Sequence, residues 1–138
     1  MNIYLFFNSY NLIENIFFER LNYSVQVMKI LIYDNQLAYY ELIKTSFPEG
    51  YEFILLNSKK NEFIEKEHDM LMFFLYDEIE LLEFMKLYNE DTPVVLGLQN
   101  MENLDEMKIE GNIYFLHLDK LKAEIIEEIN SLFKKIKR

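Results

Sequence analysis

Short apolar runs of strand length alternate along the chain with segments whose apolar residues recur at helical spacing. Lys29–Tyr33 reads KILIY, apolar after its first residue, and is the first predicted strand. Leu37–Phe47 follows, with Leu37, Tyr40, Ile43 and Phe47 on a helical stripe that Pro48 ends. Tyr51–Leu56 is the second strand, and Asn61–Glu67 a short helical pattern carrying Phe63 and Ile64. Met70–Tyr76 (MLMFFLY) is the third strand and the most apolar. Ile79–Tyr88 is helical, with Ile79, Leu82 and Met85 on one face. Pro93–Leu98 is the fourth strand; Met101, Leu104 and Met107 mark another short helix; Ile113–Leu118 is the fifth strand. The last helix runs from about Leu121 to Ile136, with Leu121, Ile125, Ile129, Leu132 and Ile136 inside.

Strands that are apolar at nearly every position must be buried on both faces, which calls for a parallel sheet with helices on each side. The predicted fold class is therefore α/β, a single doubly wound five-stranded parallel sheet flanked by helices. Ligand sites in such sheets lie beyond the carboxyl ends of the strands. Residues 28–138 make up this domain, and Met1–Val27 stands outside its rhythm. That stretch reads either as an added strand and helix, with Leu12, Ile16 and Leu21 at apolar positions, or as translation begun upstream of a true start at Met28.

Composition narrows the function classes. A chain of 138 residues is one domain long, and 51% hydrophobic content supports a core without staples. It contains no cysteine, so disulfides and thiolate metal sites are excluded, and a reducing, cytoplasmic setting is expected. A formal net charge of −10 repels phosphate backbones and anionic lipid, so neither nucleic acid nor membrane is an expected partner. The basic run Lys134, Lys135, Lys137 and Arg138 reads as favourable charge at the end of the last helix. No apolar run is long enough to span a bilayer, because Asn2, Asn8, Asn11, Glu14 and Asn15 interrupt the greasy start.

Most catalytic signatures are absent. His68 and His117 are isolated and fit no metal-ligand spacing. No nucleophile elbow, Walker loop or dinucleotide fingerprint occurs, and Gly50, Gly97 and Gly111 are too far apart to cradle a phosphate. Glu78, Glu80 and Glu83 read as the solvated face of a helix.

The opening MKILIYDNQ and the βα units that follow, from Met28 to Arg138, resemble the receiver domain of response regulators. The resemblance rests on strand pattern and spacing. It implies a flavodoxin-like sheet with strand order 2-1-3-4-5. In that family, acids after the first strand hold Mg²⁺, an aspartate ending the third strand accepts the phosphoryl group, a Ser or Thr ends the fourth strand, and a Lys ends the fifth. Here Asp34 is the candidate metal ligand, but Asn35 stands where a second acid would sit. Phe74 falls in the register of the nucleophile. Asp77, three residues on, is the candidate phospho-acceptor if that register slips. Leu98 replaces the hydroxyl and Leu118 the lysine, with Lys120 near but out of register. The plainer role for both Asp34 and Asp77 is to cap the helices that follow them. Phe74, Leu98 and Leu118 are expected to close the sheet end with an apolar cluster.

The resemblance then implies a degenerate, non-catalytic pseudo-receiver that needs no cofactor, with Mg²⁺ relevant only if the acidic site works. Its partner would be a protein, a histidine kinase or another signalling component, or a second copy in a homodimer. The family's usual contact face, fourth helix to fifth helix, would here carry Met101, Leu104, Met107, the switch-position aromatic Phe115, and His117. Two rivals remain open: a working phospho-acceptor using Asp77 with Asp34 and Mg²⁺, and a small-molecule module using the space near Asp34, Phe74 and Leu98.

Overall fold

The computed structural model describes residues 27–58, 67–99 and 111–137. The elements are β1 (Met28–Tyr33), α1 (Tyr40–Ser46), β2 (Tyr51–Leu56), β3 (Met70–Leu75), α2 (Glu80–Leu87), β4 (Val94–Leu98), β5 (Ile113–His117) and α3 (Lys122–Ile136). The five strands form one sheet in the order β2-β1-β3-β4-β5, and every neighbouring pair is parallel. The expected class and strand order are therefore observed. The helical patterns at 61–67 and 101–107 and the extension at 1–27 fall almost wholly outside the described residues.

Strand alternation divides the core into two layers. On one face, Ile30, Ile32, Met70, Met72, Phe74, Val95, Leu116 and Leu118 pack with Tyr39, Ile43, Ile125, Ile129 and Phe133 from the α1 and α3 side. On the other, Leu31, Tyr33, Leu71, Phe73, Val94, Leu96 and Leu98 pack with Phe84 and Leu87 of α2. β3 and β4 are apolar throughout, and β1 from Ile30 on, because both faces of these central strands are covered.

Three details depart from the sequence pattern. The first helix begins at Tyr40 rather than Leu37, because Leu37 takes φ +57° in a turn that closes when its N–H donates to the Asp34 carbonyl at 3.3 Å. Leu121 is exposed, and Phe133 takes the buried place on α3 beside Ile125 and Ile129. Ile79, Leu82 and Met85 do share a face, and it is the outer one; Phe84 and Leu87 make the contact with the sheet.

Candidate functional site at the carboxyl ends of the strands

Asp34 follows β1 directly and is fully buried. Its Oδ2 accepts the backbone N–H groups of Tyr39 and Tyr40, both at 2.9 Å, and its Oδ1 accepts the hydroxyl of Tyr76 just past β3. The carboxylate thus satisfies first-turn donors of α1 from five and six residues upstream, a cap that the adjacent residue Tyr39 does not provide. Burial pushes the Tyr76 phenol far above its ordinary range; the bond to Asp34 and that carboxylate's negative charge push the same way. The proton therefore stays on Tyr76, whose hydroxyl donates to Asp34 Oδ1.

Phe74 stands on β3 where the nucleophile register falls, and it too is buried. Its ring stacks on Tyr39 with centroids 4.8 Å apart, and Tyr39 in turn faces Tyr76 at 6.5 Å. The ring lies across β4 at Gly97. A Cβ at position 97 would come within 2.7 Å of Phe74 Cδ1 and 3.3 Å of Leu118 Cδ1. Phe74 and Leu118 therefore meet, as expected of an apolar closure. Leu98 does not join them: strand alternation puts it in the opposite layer with Leu96 and Phe73. For the same reason Asp34, Phe74 and Leu98 do not line one space.

Asn35, at the expected position of a second acid, is a brace. Its Oδ1 accepts the Ser58 N–H at 2.8 Å and its Nδ2 donates to the Tyr33 hydroxyl at 3.1 Å, tying the β1 and β2 ends together. Asp77 is exposed, and its Oδ1 accepts the Ile79 N–H at 3.2 Å, an Asx turn at the start of α2. Close by, Glu80 has one buried carboxylate oxygen, Oε2, without a hydrogen-bond partner among the described residues. Burial raises the Glu80 pKa. Asn35 and the Tyr76 backbone oppose that rise, and the charges of Asp77 and Asp34 add to it. The described residues hold no group of three His, Asp or Glu side chains placed to share a cation.

Farther along the sheet, Phe115 is half-buried against the α2 layer. His117 Nδ1 lies 3.2 Å from Glu128 Oε1, and Lys120 Nζ donates to Glu128 Oε2 at 2.9 Å. Burial alone would push Glu128 up, but its hydrogen bonds with Lys120 and His117 outweigh that and hold it low. Lys120 is thus engaged with α3. Met101, Leu104 and Met107 lie outside the described residues. The roles of Tyr76 and Gly97 were missed in the sequence. Tyr76 reads there as one more aromatic on a greasy strand, and nothing local signals that it meets an acid 42 residues away.

Among solved structures the chain is similar to a response regulator receiver modulated diguanylate cyclase from Pelobacter carbinolicus, with a TM-score of 0.55 over 80% of this chain and 96% of that one, at 17% identity. The chain has the receiver fold. At this identity the likeness is one of architecture. No family model matches the sequence, and no curated protein matches it. The sheet end just described holds a capped aspartate, a tyrosine and a phenylalanine. No described helix is long and apolar enough to cross a membrane.

Proposed function

We propose that this receiver-fold domain is a non-catalytic pseudo-receiver that signals by protein contact rather than by aspartyl phosphorylation. One observation carries the reading: among the described residues Asp34 is the one acid that directly follows a central strand, and its buried carboxylate accepts from Tyr39, Tyr40 and Tyr76. To bind Mg²⁺ it would have to give up those donors and expose a carboxylate now sealed by aromatic rings. Asp77, the other acid in reach, is tied to the start of α2. The β5 end, with half-buried Phe115 and the partly exposed imidazole of His117, would suit a protein partner such as a histidine kinase or another signalling component.

The test is an amide NMR titration of the full chain with Mg²⁺ and then beryllofluoride, a mimic of the phosphorylated aspartate. The expected result is no saturable shift at Asp34, Asp77 or Phe115. Saturable shifts spreading from the strand ends to Phe115 would instead establish a working phospho-acceptor.

A further inference from the structure

The three large apolar side chains on the outer face of α2 are the clearest feature with no role in the site above. Ile79 is 73% exposed, Leu82 65% and Met85 72%. Spaced i, i+3, i+6, they form one stripe along the helix, opposite the Phe84 and Leu87 side that packs on the sheet. Singly exposed apolar residues are ordinary, but a contiguous stripe is the form that marks an interaction site. Its charged surroundings are one-sided. Asp77 and Glu78 are exposed at the amino end of the stripe, and Glu90 and Asp91 in the turn beyond its carboxyl end. The one cation on the helix, Lys86, is already paired with Glu83 at 3.4 Å.

We infer that the outer face of α2 docks a basic amphipathic helix from another protein. Leucine-like anchors on such a helix would cover Ile79, Leu82 and Met85, with unbranched Met85 adapting to their shape. Lysines or arginines beside those anchors would meet the carboxylates at both ends and speed encounter. The charge pattern selects this occupant over the others. A second copy of a chain of net charge −10 would bring the same carboxylates face to face. The chain's own residues 1–26 carry Glu14 and Glu19 against a single Arg20, so they supply no basic complement. An anionic bilayer is repelled by the same acids. The apolar stripe contains neither Asp34 nor Asp77 and is probed by peptide binding rather than by Mg²⁺ and beryllofluoride, so this inference and the pseudo-receiver reading fail on different experiments.

The test uses the full chain and a helical peptide of about 18 residues, with leucine at i, i+3, i+4 and i+7 and lysine elsewhere. A second peptide with glutamate in place of lysine is the control. The expected result is saturable amide shifts centred on Ile79, Leu82 and Met85 with the lysine peptide. Leu82→Ser should weaken binding about tenfold with no change in melting temperature, since the side chain is already in water. Glu78→Lys should weaken it further. Equal binding by Leu82→Ser, equal binding of the glutamate peptide, or shifts centred elsewhere would overturn the inference. A dimer in sedimentation that Leu82→Ser dissociates would overturn it in favour of self-association. Perturbation of the Leu82 amide on removal of residues 1–26 would overturn it in favour of an internal partner.

Discussion

Two acids, Asp34 fully buried and Glu80 half-buried, sit at the same end of the sheet, on opposite faces, and are treated in opposite ways. Asp34, on the α1 side, receives two backbone N–H groups and a phenol and is walled by Tyr39 and Phe74. Glu80, on the α2 side, keeps a buried oxygen with no donor among the described residues and feels the charges of Asp34 and Asp77. Burial by itself penalises either charge; the supply of donors decides whether the acid is a structural anchor or a source of strain. The same end of one sheet is thus locked on one face and under-satisfied on the other.

Breaking the locked face should have the largest effect. Phe74→Ala removes a fully enclosed ring, and equilibrium urea unfolding should show a loss of about 3–5 kcal/mol. Gly97→Ala drives a methyl into that ring and should cost about 1–3 kcal/mol, partly recovered in the Phe74→Leu background. Next comes Tyr76→Phe, which leaves Asp34 one donor short in a dry site; a loss of about 1–3 kcal/mol is expected by the same measurement. This contribution also has a pH signature. The Tyr76 pKa is raised above its ordinary 10.0, so its stabilisation is complete below pH 10 and fades as pH rises beyond it. Wild type and Tyr76→Phe should therefore converge in stability in strong alkali.

The under-satisfied face should respond with the other sign. The Glu80 pKa is raised above its ordinary 4.5, so folding favours the protonated acid and stability falls as pH rises past that value. Glu80→Gln is then expected to raise the melting temperature at pH 7 and to change little at pH 4. A drop at both values would show that Glu80 has a stabilising partner. The smallest effect belongs to the rim of β5. Glu128 is held below its ordinary 4.5, so its stabilisation is present above that pH and fades as pH falls through the lowered value. Glu128→Gln should cost under about 1 kcal/mol at pH 7 because the cluster is partly in water.

The sheet was legible because its information is local. Each strand is an apolar run flanked by polar residues, and MLMFFLY admits few placements other than a central strand. Helix edges were less so. Leu37 fits the helical stripe of 37–47 perfectly, yet it is excluded by a turn that depends on the Asp34 carbonyl. That apolar Phe74, Leu98 and Leu118 stand at the registers where the resemblance implies a nucleophile, a hydroxyl and a lysine was readable from residue type; what those residues pack against was not. The Tyr76–Asp34 bond joins two strands, and the contact of Phe74 with Gly97 depends on which face each residue takes once β3 and β4 pair. The expected grouping of Leu98 with Phe74 went wrong for that reason: shared position at strand ends does not put two side chains on the same side of a sheet.

The bare backbone at Gly97 has a consequence for what position 74 can hold. An aspartate at position 74 would be smaller than the ring it replaces and would sit between Tyr39, Leu118 and a residue that offers no side chain to fill the gap. Its charge would find no hydroxyl at Leu98 and no lysine at Leu118. Phe74→Asp would therefore leave a hole and an unpaired charge. Phe74 and Gly97 are thus fitted to each other as a pair: the backbone at 97 leaves the room that the ring at 74 fills.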